Sequence, residues 1–194
     1  MSHPALLGPI EALAGPLRTD PTPILSAFTR RELGRGERWL AVGQVARKIA
    51  FLESGLLRHH QAHEGRVVTR WATLPGQYAV SLPSFVRRQP SDVSIEAAAP
   101  SVVYEVDRDR WLSLRAEVPQ LQTFWIAVLE YQMCCFEDRV WSLIAGDGEA
   151  RYRYMIERYP DFLLALPQHY LADMLGLAPR HLSRIRNKLA TEQR

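Results

Sequence analysis

The sequence predicts an α+β protein: a small β-barrel with helices before it, then one long helix, then a helix-turn-helix. Three observations predict it. Between Leu33 and Val106, short apolar runs alternate with glycines and polar turns, the texture of a barrel or sandwich. Between Pro119 and Ala145, apolar residues recur every seven positions, as on a long helix with more than one apolar face. Between Gln168 and Ile185 the chain reads QHYLADMLGLAPRHLSRI, which fits a helix-turn-helix position by position. The expected divisions are 1–116 for the barrel with its N-terminal helices, 117–146 for the long helix and 147–194 for the helix-turn-helix domain.

A chain of 194 residues suits one domain or two small ones. No apolar run approaches the ~20 residues that a bilayer span needs. The first residues lack a charged leader region and are broken by Pro4, Pro9 and Pro16, so no signal peptide is expected. Cys134 and Cys135 are neighbours in a helical pattern and point in different directions, which disfavours a disulfide between them. A reducing cytoplasm is the corresponding compartment.

In chain order, residues 1–32 read as helical. Leu6, Leu7, Ile10 and Leu13 have helical spacing, and a second stretch starts at Thr22-Pro23 and runs through Ile24, Leu25 and Phe28. Strand-like runs follow at Trp39–Val42, Ile49–Leu52, Leu56–Arg58, Val67–Leu74, Tyr78–Val80, Val93–Ile95 and Val102–Val106. Gly43, Gly55, Gly65 and Gly76 punctuate them, and Glu64-Gly65 reads as a hairpin turn. Asp107 is placed to cap a short helix through Leu114. Pro119 opens the long helix and Gly146 stops it. Leu121, Val128 and Cys135 form one seven-residue series, and Leu129, Phe136 and Leu143 another. One apolar face can cover the barrel. The other calls for a partner, and a two-fold copy of the same helix is economical, with Leu121, Trp125, Val128, Gln132 and Cys135 as the expected interface. A helix wholly buried in a monomer is the alternative. A further helix, from Glu149 to about Tyr159, leads into Pro160.

The helix-turn-helix has physical content. Leu171, Met174 and Leu175 stripe a first helix, and Ala172 is small where two helices approach. Gly176 sits where the chain must turn sharply, Leu177 anchors the turn, and Pro179 occupies the first position of a second helix. Leu182, Ile185 and Leu189 give that helix one buried face. Arg180, His181, Ser183, Arg184, Asn187 and Lys188 lie on its polar side. Residues 166–194 hold five basic and two acidic side chains, so the whole net charge of +3 falls there. That is the electrostatic footprint of a segment that neutralises phosphates.

Barrel, long helix and helix-turn-helix in this order resemble the Crp/Fnr family of bacterial transcription regulators, to which the catabolite activator belongs. The resemblance rests on Phe51-Leu52-Glu53-Ser54-Gly55-Leu56-Leu57-Arg58, on Glu64-Gly65, on Leu74-Pro75-Gly76, and on Val103-Tyr104-Glu105-Val106 followed by Asp107. It covers about residues 20–190. RYRYMIERYP at 151–160, followed by Leu166-Pro167-Gln168, looks like a short subgroup whose chains stop soon after the recognition helix. The resemblance implies a cytoplasmic, homodimeric, sequence-specific binder of near-palindromic double-stranded DNA, with a cyclic-nucleotide-binding-like β-roll as its sensor.

Two departures from the family pattern qualify that implication. Members that bind cyclic AMP carry a Gly-Glu pair and, ten residues after the Glu, an Arg-Ser pair. Here those positions fall on Val80-Ser81 and Ser91-Asp92. The phosphate-neutralising Arg has become Ser, and a buried phosphate without a cation is costly. Arg87 and Arg88 are nearby but out of register. No cyclic AMP response is therefore expected. An interior near Tyr78, Ser81, Phe85, Ser91 and Asp92 either takes a small apolar or cationic effector or is simply packed. At the DNA face, Arg184 keeps the family's guanine-reading position, while Arg180 stands where an acidic reader is expected. Ser183 and His181 come near a base edge or phosphate, and Gln168 and His169 are expected at phosphate. No room remains for the family's wing hairpin.

His59-His60-x-x-His63 lies on a strand running into the Glu64-Gly65 turn. Alternation sends His59 and His60 to opposite faces, so a solvated hairpin tip is expected rather than a metal site. Two adjacent helical cysteines cannot ligate an iron–sulfur cluster. Phosphate loops, nucleophile elbows and paired carboxylates are not apparent, so neither an enzyme, a cofactor nor a membrane partner is expected. A ligand-binding or protein-interaction module with a vestigial helix-turn-helix is the alternative function.

Overall fold

The computed structural model describes residues 4–192. Arg194, counted above in the basic segment, lies outside the described residues, as do the first three residues of the stretch read for a leader. The chain forms two units. One contains the described residues through Gln61 together with Ala72–Tyr131; the other contains Ala62–Trp71 and the chain from Gln132 onward.

In the first unit, α1 (Pro4–Ala14) buries Leu6 and Ile10, one helical turn apart. The short α2 (Thr22–Ala27) follows Asp20, whose carboxylate accepts from the Thr22 N–H at 2.9 Å and its hydroxyl at 2.7 Å. Helix does not continue to residue 32. Thr29–Leu33 is a strand, β1, paired antiparallel with the far end of β6. Its sequence, TRREL, has no apolar alternation of its own; pairing with a long neighbour decides its state.

Two long antiparallel strands dominate the sheet: β3 (Lys48–His63) and β6 (Ser94–Asp107). β2 (Arg38–Leu40) pairs with β6, β5 (Tyr78–Ala79) pairs with β3, and β4 (Arg66–Thr73) lies beside β3. The sequence breaks β3 and β6 into two runs each. The structure shows instead that the register slips three times between Leu52 and Leu57 while the strands carry on. Gly55 sits at this irregularity with φ +97°, and a Cβ there would lie 2.5 Å from the Pro100 carbonyl oxygen. Only glycine meets both demands. At the other end of β3, Glu64 and Gly65 both have positive φ (49° and 76°), as a two-residue type I′ hairpin requires.

A short helix not anticipated from the sequence, α3 (Leu82–Arg87), follows β5. Its Ser84 hydroxyl accepts from the buried Ala46 N–H at 2.9 Å. Asp107 stands at the N-cap of α4 (Arg108–Glu117), but its side chain makes no capping bond, and the helix runs past Leu114. α5 is the long helix, Pro119–Ala145. Its first half closes the core, where Trp111 meets Trp125 and Phe28 edge-on at centroid distances of 5.6 and 6.3 Å.

In the second unit, Asp147 caps α6 (Gly148–Arg158) by accepting from the Ala150 N–H at 2.9 Å. A short α7 (Pro160–Ala165), which sequence reading passed over, precedes α8 (Gln168–Met174) and α9 (Pro179–Glu192). Leu171, Ala172, Met174, Leu175, Leu182, Ile185 and Leu189 are all buried, and Gly176 turns with φ +65°. The helix-turn-helix is thus present, with α9 opening at Pro179 and the anticipated apolar positions buried. No described helix is long and apolar enough to cross a membrane.

Candidate nucleic-acid interface

α9 buries Leu182, Ile185 and Leu189. With about 3.6 residues per turn, the face opposite them carries Arg180, Ser183, Arg184 and Asn187. Arg180, Arg184 and Asn187 are exposed and Ser183 is half-buried. Among the described residues, Arg180 and Arg184 form no ion pair, so two guanidiniums stand free on this face.

His181 and Lys188, seven residues apart, fall on the flank toward α6. Gly148, the first residue of α6, packs so closely that a Cβ there would lie 3.2 Å from the His181 ring and 3.0 Å from Leu177. Lys188 donates to Glu149 at 2.7 Å, and Glu149 also accepts from Arg153 at 2.9 Å. Arg153 in turn reaches Glu192 at 3.0 Å. The Lys188 hydrogen bond, then that of Arg153, hold the Glu149 carboxyl below its ordinary range. A groove of roughly 610 Å³ runs between the start of α6 and α9, lined by Asp147, Glu149, His181, Arg184 and Lys188. Gln168 and His169, at the start of α8, are exposed, and the His169 ring lies 4.3 Å from that of Tyr170.

The end of α8 is held by two arginines that sequence reasoning missed. Arg151 of α6 donates to the Leu175 carbonyl at 2.8 Å, and Arg139 of α5 donates to the Met174 carbonyl at 3.1 Å. Helix-end carbonyls have no partner within their own helix, and these guanidiniums supply one.

On α5, Leu121 and Trp125 are packed into the core of their own unit, at 0% and 6% exposure, and Val128 rests against that core. Gln132 is exposed and Cys135 half-buried, and the Cys135 thiol is a neighbour of the Tyr159 phenol. The interface expected on this stripe is therefore corrected for Leu121 and Trp125: they face inward because Trp111 and the sheet need a lid. The stripe one step round the helix is the more open one. Ile126, Leu129, Met133, Phe136, Val140 and Leu143 alternate in steps of three and four, the spacing of a coiled-coil seam; Leu129, like Val128, still rests against the core, and the other five are exposed. Met133 and Phe136 are 61% and 63% exposed.

In the roll, the five expected ligand residues occupy different settings. Ser81 and Ser91 are buried with their hydroxyl oxygens 2.9 Å apart, and Ser91 Oγ also accepts from the Val93 N–H at 3.1 Å. Phe85 is buried under the Arg108 guanidinium, 5.4 Å from the ring centroid. Tyr78 packs between Phe51 and Phe124 at 5.3 Å from each, with its hydroxyl buried and, among the described residues, without a hydrogen-bond partner. Burial pushes its phenol well above the ordinary range. Asp92 is exposed.

The histidine run is not a solvated tip. His59 and His60 are both buried, His59 Nε2 lying 2.8 Å from Thr73 Oγ1 and His60 Nε2 3.5 Å from Glu96; only His63 is exposed. Alternation does send the two rings to opposite faces, but at this position both faces of β3 are covered.

A β-roll, a long helix and a terminal helix-turn-helix make up the fold of the catabolite-activator type. No protein-family model and no curated protein matches the sequence. Solved structures share the fold over most of the chain. A mutant of CooA from Carboxydothermus hydrogenoformans superimposes with a TM-score of 0.75 at 16% identity, covering 94% of this chain and 84% of that one. FixK2 from Bradyrhizobium japonicum gives 0.72 at 18% identity, with 86% of each chain covered. The catabolite activator protein of Thermus thermophilus gives 0.56 at 21% identity, covering 96% and 88%.

Proposed function

We propose that the protein is a homodimeric, sequence-specific DNA-binding transcription regulator of Crp/Fnr type, acting in the bacterial cytoplasm rather than as an enzyme. One observation carries the reading: α9 rests on a packed apolar face and presents Arg180, Ser183, Arg184 and Asn187 together on the opposite one. Arg184 is suited to a bidentate contact with guanine, and Arg180 gives a half-site different from one read by an acidic residue. The same fold in a c-di-GMP responsive global regulator from Xanthomonas campestris supports the reading.

The second copy docks along the Ile126, Leu129, Met133, Phe136, Val140 and Leu143 seam. Its spacing is that of paired helices, and large exposed side chains such as Phe136 are costly to leave in water. Two recognition helices then enter successive major grooves about 34–36 Å apart. Binding to the promoter beside the protein's own gene, falling steeply with salt, tests this. Absence of any salt-dependent binding leaves the interaction-module reading.

Cyclic AMP is not the effector. The pair that would hold ribose and phosphate is two uncharged serines closed on each other. Calorimetry with cyclic AMP and cyclic GMP is expected to show no binding at micromolar concentrations, and micromolar binding contradicts the assignment. An effector of the roll has to suit the apolar setting of Tyr78 and Phe85.

Glu149 acts as an internal competitor of phosphate, since it occupies Lys188 and Arg153. Glu149→Gln is expected to tighten DNA binding and to steepen the dependence of log K on log salt by about 0.9 for each additional phosphate contact. Titrations at several salt concentrations read the slope directly, and an unchanged slope means that Lys188 stays away from DNA.

A further inference from the structure

We infer that Arg139 is a positioning residue that ties the turn of the helix-turn-helix to the long helix and to the β3–β4 hairpin, and so sets the half-site spacing the dimer accepts. The inference rests on the DNA-binding reading above. Arg139 leaves α5 half-buried and donates in two directions: to the Arg70 carbonyl on the hairpin at 2.8 Å and to the Met174 carbonyl at the end of α8 at 3.1 Å. Its guanidinium lies over the Trp71 ring, 5.4 Å from the centroid. Trp71 is itself fixed edge-on against Phe162 at 5.0 Å and Tyr159 at 5.7 Å. A second tie stands one residue away on each side, where Asp173 accepts from the Thr69 N–H at 2.9 Å. Adjacent hairpin residues, Thr69 and Arg70, are thus joined to adjacent residues of α8, Asp173 and Met174.

The electrostatics give this arrangement direction. Burial, and then the neighbouring Arg70 charge, hold the Arg139 guanidinium below its ordinary range. Among the described residues it has no carboxylate partner. A charge kept under such conditions must be satisfied by hydrogen bonds, and the two carbonyls with the indole face satisfy it. A guanidinium offers several donors in a planar fork and so spans two carbonyls on different elements; an ammonium is a point charge on a flexible stem. The helix that supplies Arg139 also carries the seam residues Met133, Phe136, Val140 and Leu143. Arg139 is therefore a direct hydrogen-bonded link from the helix of the dimer seam to the turn that orients α9. Base identity is read by α9 itself; what Arg139 controls is where that helix stands relative to its two-fold copy.

The test uses the full-length protein and the site it protects by footprinting; if no site is protected, it is the DNA-binding reading that fails. Probes keep the half-sites and lengthen or shorten the spacer by one base pair. Wild type is expected to discriminate against both by about tenfold or more. Arg139→Met and Arg139→Lys should bind the three spacings within about threefold of one another while keeping the wild-type base preferences within each half-site. A folded Arg139→Met protein with undiminished spacing discrimination overturns the inference. Should Arg139→Met fail to fold, Arg139→Lys, which keeps the charge and loses the planar fork, decides on the same probes: relaxed spacing supports the inference and wild-type spacing overturns it.

Discussion

Met133→Asp combined with Phe136→Asp is expected to yield a folded monomer that no longer retains DNA at concentrations where the wild type is saturated. Both side chains are exposed in the protomer, so replacing them removes little of its own packing. In a dimer they occupy the centre of the seam, and two charges per chain place four like charges in an apolar contact. Burying an unpaired carboxylate costs several kcal/mol. A standard interface buries about 800 Å² per partner and gains only a modest surplus over the cost of association, so that penalty removes it. DNA binding falls with dimerisation because the two recognition helices no longer act as one ligand; the advantage of linkage is commonly a factor of about 10²–10⁴. Sedimentation reads the oligomeric state and circular dichroism the fold. A dimer that survives both substitutions places the seam elsewhere.

Arg184→Ala is the second large effect. A bidentate arginine–guanine contact contributes about 1–3 kcal/mol of discrimination. The loss should appear at each half-site and should fall on sequences carrying the contacted guanine, leaving others nearly unchanged. Arg184 has no ion-pair partner among the described residues to lose, so stability should hold. An equal loss on every sequence reassigns Arg184 to phosphate.

How much of this was legible in the chain follows from how local each signal is. The helix-turn-helix is legible residue by residue because its buried positions, Gly176 and Pro179 lie within one short stretch. The interruptions at Gly55 and Pro100 are equally local, yet a breaker in sequence marks either the end of a strand or an irregularity inside one. Only pairing with a long neighbour shows that β3 and β6 continue. The long helix posed a sharper problem. Two stripes with the same spacing of three and four lie one residue apart, and periodicity alone does not say which covers the core. Trp111 decides it by taking Trp125 inward. The sequence places His59 and His60 in solvent because it does not reveal that Thr73 and Glu96 lie against them. Arg139 and Asp173 carried no signal, since their partners Arg70 and Thr69 are 69 and 104 residues away in the chain.

Selection of bound sequences from random duplex DNA by the full-length protein, at a salt concentration near 0.15 M, tests the central claim most directly. The account predicts a near-palindrome whose half-sites lie about one helical turn apart, with a guanine in each half that disappears when Arg184→Ala is used instead. A pool that stays random, or that enriches sequences without two-fold symmetry, contradicts it.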